Sequence, residues 1–212
     1  SKAIKIASED IINYPLLKKI SKLNMIVILS TGMADQKEVE RAVLILKSIK
    51  KKLTLLHCVS LYPTPEDKIN LNRILALKER YNLPVGFSDH TIGINASLAA
   101  VVLGACVIEK HFTLNKKLIG PDHLLSADLQ ELTKLVNSIR QIEKMTGSKE
   151  IKPTITEIKM RKKFRRSIVA NQIITKGTKI TSKMLSLRRP GTGLHPIYLD
   201  KIIGKISNKT FY

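Results

Sequence analysis

LPVGFSDHTIGINASLAAVVLGACVIEKHFTLNKKLIGPD, residues 83–122, decides how the rest of the chain is read. Its apolar runs are short, continuous and β-branched, as strands covered on both faces are. The pattern predicts a strand at Pro84–Phe87, a polar turn Ser88-Asp89-His90-Thr91, a helix over about Asn95–Leu103 and a strand at Ala105–Ile108. A second polar turn follows at Glu109-Lys110-His111. In a barrel of alternating strands and helices, catalytic groups gather at the C-terminal strand ends. Two histidines just past two successive strands therefore face one mouth, where a divalent metal fits between them. A lone histidine is usually structural; two at matching strand ends point to ligands.

The same period runs outward in both directions. Towards the N-terminus come a strand at Ala3–Ala7, a helix over Tyr14–Leu23 and a strand at Met25–Leu29. Lys5 is conspicuous, because a charge inside a barrel strand needs a partner or an anionic ligand. Asp35 and Glu38 form a capping pair for the next helix, with Val39, Val43, Leu44 and Leu46 as its apolar stripe. Leu53–His57 reads as a strand, and Asp67–Tyr81 as a helix with Ile69, Ile74, Leu75 and Leu77 inward. Beyond the quoted stretch, Asp128–Met145 is an amphipathic helix directing Leu129, Leu132, Leu135, Val136, Ile139 and Ile142 to one face.

These are five strand–helix units of the parallel type, whereas a closed (β/α)8 barrel needs eight. Five alone leave two raw sheet edges, so residues 1–146 are expected to be the later part of a TIM barrel whose first units are missing. Residues 147–163 read as a charged linker, and 164–212 as a small β-rich module with Ile168–Ala170 and Lys179–Thr181 flanking a turn at Lys176-Gly177. The end at Tyr212 reads as an early stop within that module.

Composition narrows the function classes. The chain of 212 residues is 43% hydrophobic, enough for a real core. No run approaches the roughly 20 apolar residues of a membrane helix, and the N-terminus is no signal peptide, which predicts a soluble, cytoplasmic protein. Cys58 and Cys106 read as small core thiols rather than a disulfide framework. The net charge of +20 is uneven: residues 1–146 hold 21 Lys/Arg against 14 Asp/Glu, and residues 147–212 hold 16 against 3. The basic segment lacks aromatic interleaving and any nucleic-acid motif, so it reads as a solvated lysine-rich surface.

Eight motifs stand in order along the chain: KIAS (Lys5–Ser8), ILSTGM (Ile28–Met33), LLHC (Leu55–Cys58) with YPTP (Tyr62–Pro65), GFSDHT (Gly86–Thr91), IEKHFT (Ile108–Thr113), GPDH (Gly120–His123), RRS (Arg165–Ser167) and RPGTG (Arg189–Gly193). With them the chain resembles the C-terminal part of the sialic acid synthase family, which includes N-acetylneuraminate and legionaminic acid synthases. The resemblance implies a TIM barrel followed by an antifreeze-like (SAF) domain. It implies condensation of phosphoenolpyruvate with an N-acetylated hexosamine, such as N-acetylmannosamine, to a nonulosonic acid with release of phosphate.

Roles follow from the same resemblance. His90 and His111 match the family's metal pair, for Mn2+ with Mg2+ or Co2+ as alternatives. Lys5, Ser8, Ser30 and Ser88 resemble its phosphoenolpyruvate anchors. Asp10 and Glu109 match carboxylates with acid–base or ligand-orienting roles, and Asp89 is expected behind the metal site, orienting His90. Ser60, in place of an amide found in some members, and Tyr62 lie where the sugar is contacted. Arg189 resembles an arginine that one subunit's small domain sends into its neighbour's barrel, which implies a homodimer. His57 reads as structural or as a support to the site. A separate N-terminal half is then a partner, and this segment alone is expected to be inactive. The competing class is a non-catalytic remnant or a binding protein for an anionic sugar or nucleic acid; another aldolase-like barrel enzyme is a third reading.

Overall fold

The computed structural model describes residues 2–212, which divide into two compact units, one ending at Gly147 and the other spanning Ser148–Tyr212. The first unit is built on five parallel strands: β1 (Ala3–Ile6), β2 (Ile26–Ser30), β3 (Leu53–Cys58), β4 (Val85–Asp89) and β5 (Ile108–Lys110). They lie side by side in chain order, each paired to the next. The helices between and after them are α1 (Tyr14–Ile20), α2 (Gln36–Ile45), α3 (Asn72–Tyr81), α4 (Asn95–Val102) and α5 (Leu129–Thr146). Sequential parallel strands joined by helices are the repeating unit of a TIM barrel, of which this is a five-unit arc.

One face of the sheet carries Ile6, Val27, Leu29, Leu55, Val85 and Phe87, and packs on Leu17, Val39, Leu46, Ile74 and Ala100 of the helices. Burial of each such side chain contributes about 1.5–3 kcal/mol, so this layer holds the unit together. Helix ends are fixed locally. Asp35 accepts from Glu38 N–H while Glu38 reaches back to Asp35 N–H, and Asp128 and Glu131 repeat the exchange at α5. Each cap is worth about 1 kcal/mol.

Several expectations need correction. The strand placed at Ala105–Ile108 begins later: Gly104 closes α4 with φ +88°, and Ala105 N–H still bonds back to Ala100 O at 2.9 Å. This six-to-one bond is the usual helix stop at a left-handed glycine. Glu109 and Lys110 are therefore strand residues, as are Ser88 and Asp89. The helix expected from Asp67 starts only at Asn72, because Asn70 adopts a left-handed φ of +48° after a 3-10 turn at Glu66–Lys68. Leu44, Leu75, Leu129 and Val136 face outward, and Cys106 is exposed rather than a core thiol.

In the second unit, the stretch expected to be a linker contains α6 (Ile155–Phe164), opened by a Thr154/Glu157 capping box. It precedes an antiparallel pair, β6 (Ser167–Ala170) and β7 (Leu185–Arg188), and a short α7 (Leu199–Ile202). Lys179 makes only an isolated bridge to Ile206. Near the end of the chain, Phe211 exchanges two backbone hydrogen bonds of 2.9 Å with the buried Ile174. No helix among the described residues is long and apolar enough to cross a membrane.

Candidate functional site

Register decides which strand residues share a face. Ser30 pairs with Leu56 and Leu56 with Gly86; one pleat further on, Cys58 pairs with Ser88 and Ser88 with Glu109. These residues, with Lys5, alternate with Ile6, Leu29, Leu55 and Phe87, which face the helices. Period-two alternation therefore puts Lys5, Ser30, Cys58, Ser88 and Glu109 on the face away from the helices, the interior side of a barrel.

Their polar atoms meet. Lys5 Nζ donates to Ser30 Oγ at 2.8 Å and stands 3.5 Å from Glu109 Oε2, while Ser88 Oγ donates to Glu109 Oε1 at 2.7 Å. Four strands thus contribute to one chain of hydroxyls, ammonium and carboxylate. Ser8 joins at its margin, accepting from Gly32 N–H at 3.1 Å. A Cβ on Gly32 would lie 2.5 Å from Ser60 Oγ, 2.7 Å from Ser8 Oγ and 3.1 Å from Cys58 Sγ, so those three side chains converge on the bare backbone there.

Beyond the strand ends three rings cluster. The His90 and His111 centroids are 5.3 Å apart, and the Tyr62 ring lies 4.1 Å from His90 and 5.8 Å, edge-on, from His111. Burial pushes the Tyr62 hydroxyl's pKa up, and the negative groups around it add to the effect. His90 Nδ1–H donates to Val59 O at 2.9 Å, which fixes the ring and leaves Nε2 with its lone pair. His111 Nδ1 stands 3.8 Å from Asp122 Oδ2. Burial by itself lowers the His90 pKa, but the Cys58 thiol, the Val59 carbonyl and the Asp89 charge outweigh it and hold it above its ordinary value. Burial alone raises the Cys58 thiol; contacts to His90, Ser8 and Ser88 reverse this and leave it lowered.

The two imidazoles suit a divalent ion in part. Among the described residues no three His, Cys, Asp or Glu side chains stand close enough to cage one. The donor set fits an open site that takes further ligands from substrate and water, not a closed structural one.

Other expected residues lie elsewhere. Asp10 sits in a 3-10 turn at Ser8–Ile12 and accepts from Asn13 Nδ2 at 3.0 Å, outside the Lys5–Glu109 network. Asp89 faces the helices, and its oxygens hold Thr91, Ser97 and Lys110 rather than the His90 ring. His57 also points to the helix side, stacked on Phe87 with Nε2 2.7 Å from Ile69 O. Arg189 belongs to the second unit, its guanidinium carbon 5.8 Å from the Phe164 ring centroid. Cys58 is buried, as expected, but its Sγ faces the polar groups beside Ser8 and His90; two further residues escape the sequence reading, Asp122 within GPDH and Lys110, buried against Asp89.

The NeuB family model matches residues 1–151, and the SAF domain model matches residues 165–212. The chain belongs to the NeuB family. Its relatives include N,N′-diacetyllegionaminic acid synthases of Campylobacter jejuni, 46% identical over 99% of this chain and 64% of that protein, and of Legionella pneumophila, 44% identical over 96% and 58%. Among solved structures, the N-acetylneuraminic acid synthetase from Leptospira borgpetersenii, in complex with citrate, superposes with a TM-score of 0.71 at 44% identity. That match covers 74% of this chain and 55% of the other. The chain spans about three-fifths of the length of the curated relatives it matches.

Proposed function

We propose that this chain supplies one side of the active site of a nonulosonic acid synthase. The reaction joins phosphoenolpyruvate to the aldehyde of an N-acetylated hexosamine, adds water and releases phosphate. The observation that carries the reading is the Lys5–Ser30–Glu109–Ser88 network on the interior face, opening onto the His90–His111 pair. A lysine and two hydroxyls hold a dianionic phosphate or a carboxylate while letting it leave. In this reading Glu109, tied to both Ser88 and Lys5, takes a proton from the water adding at C2. The adduct then collapses to the ketone, its hydroxyl proton lost as the C2–O bond to phosphate breaks, while the former aldehyde oxygen is protonated. Tyr62 packs its ring against both imidazoles. His90 and His111 would hold a divalent ion, Mn2+ in this reading, which would supply Lewis acidity at the aldehyde oxygen.

Among the described residues β1 and β5 each pair with one strand only. Activity is therefore proposed to belong to a barrel completed by further strands, in a homodimer whose Arg189 serves a neighbouring site. The names of the relatives support an N,N′-diacetylated product, and Ser60 leaves more room than an amide would. The test measures phosphate release from phosphoenolpyruvate with Mn2+, using a diacetamido hexose against N-acetylmannosamine, with the chain alone and with the N-terminal barrel half added. Release is expected only with the completed barrel, faster with the diacetamido sugar, and to fall at least 100-fold in Glu109→Gln. A folded, completed barrel that releases no phosphate with either sugar would refute the reading.

A further inference from the structure

We propose that Asp89 and Lys110 are positioning residues that set the separation of His90 and His111 from behind the sheet. This rests on the reading of those histidines as an ion-holding pair.

Asp89 and Lys110 are register partners on β4 and β5, each one residue before a histidine. Both face away from the mouth, and their side chains are 0% and 3% exposed. The carboxylate is saturated: Oδ1 accepts Thr91 N–H and Thr91 Oγ1–H, each at 2.8 Å, and Oδ2 accepts Ser97 Oγ–H at 2.6 Å and pairs with Lys110 Nζ at 3.1 Å. Lys110 Nζ also donates to Thr91 O at 2.8 Å. The ammonium thus grips the residues on both sides of His90, while the aspartate bends that segment into an Asx turn and ties it to α4 through Ser97. Because Lys110 adjoins His111, one buried pair couples both histidine backbones.

β5 is three residues long and pairs with β4 alone among the described residues. Beside the ladder with β4 and the bond from Ala127 N–H to His111 O at 2.8 Å, this buried pair is the side-chain tie on the helix side between the two histidine segments. A buried ion pair is a poor device for stability, since a well-packed apolar pair often does as well. Its use here is placement. Outer groups that orient metal-binding histidines typically change affinity about 10–100-fold when removed.

The test is titration of Mn2+ by calorimetry into the 212-residue chain and into Asp89→Asn, Lys110→Met and the double variant, each checked by circular dichroism. Thermal midpoints and the ring 15N signals of His90 and His111 are measured alongside. The single variants are expected to bind Mn2+ about 10–100-fold more weakly. The double variant, having no uncompensated charge, is expected to regain thermal stability but not affinity. Affinity within twofold of the parent in any folded variant, or affinity that recovers together with the midpoint, would overturn the proposal. If the parent binds no Mn2+, the ion-holding reading fails. The ring signals then decide the clamp by themselves: shifted in the double variant, it stands, and unshifted, it falls.

Discussion

Gly86→Ala should loosen the sheet at the strand that carries the site. Gly86 is buried in β4, in register with Leu56. A Cβ there would lie 2.4 Å from Val107 O, 2.9 Å from Val107 Cβ and 2.6 Å from Leu56 Cδ2. The leucine methyl can rotate away. The carbonyl cannot, because it accepts Phe87 N–H at 2.8 Å and belongs to the segment leading into β5. To reach even 3.0 Å from the new methyl, that segment must retreat about 0.6 Å. Overpacking of this kind costs about 1–3 kcal/mol, and weakening the Phe87 bond adds about 0.5–1.5 kcal/mol. The expected loss is about 1.5–4.5 kcal/mol; at about 2–4 °C per kcal/mol for a chain of this size, the midpoint falls by about 3–18 °C. Urea unfolding followed by far-ultraviolet circular dichroism reads the free energy, and a thermal scan reads the midpoint. A loss below about 0.5 kcal/mol, within the ordinary range for a neutral surface change, would refute the argument that β4 and β5 touch backbone to backbone here.

Gly32→Ala should behave differently, since the atoms it meets are the ends of Ser8, Ser60 and Cys58 side chains, which can turn aside. Its unfolding free energy should change by less than about 1 kcal/mol, while phosphate release by the completed barrel drops because the displaced hydroxyls no longer face the site; equal activity would count against Ser8 and Ser60. His57 gives a pH signature. Burial holds its pKa below the ordinary imidazole value, with the nearby Arg73 charge adding to the shift and the Ile69 carbonyl opposing it. Well above the ordinary imidazole pKa of about 6.5 neither folded nor unfolded chain is protonated there, and the stability is fully present. As pH falls, the unfolded chain takes the proton first, so stability is lost until the folded pKa is passed. His57→Asn should flatten that part of the stability profile between pH 7 and pH 5, and an unchanged slope would show that another group is responsible.

Much of this was legible because strand and helix periods differ. The order of units, the Asp35 and Asp128 caps and the histidines past β4 and β5 all follow from local patterns. What the sequence hides is where each strand begins. Ala105 and Val107 look like strand residues by composition, yet Gly104 spends Ala105 on closing α4, so the ladder starts late and Glu109 enters it. The helix stripes failed for a tertiary reason. Leu44, Leu129 and Val136 fit an apolar face by spacing, but only Val39, Ala42 and Leu135 in their helices are deeply buried. Motif position alone assigns Asp10 to the site; its partner, Asn13, lies three residues away.

The deeper ambiguity is parity. A strand end reading Ser-Asp-His offers three polar side chains, but a pleated strand sends the middle one to the opposite face from its neighbours. Ser88 therefore meets Glu109 on the interior face and His90 meets Tyr62 and His111, while Asp89 turns to the helices and meets Lys110 and Ser97. The next strand repeats the division, Glu109 and His111 on one side and Lys110 on the other. Counted without parity, all six are site residues. Counted with it, four belong to the mouth and two form an ion pair behind it. The same rule turns the buried Cys58 to the interior face, two residues after Leu56 and in register with Ser88. A charge that cannot reach the substrate is then explained by what it holds in place.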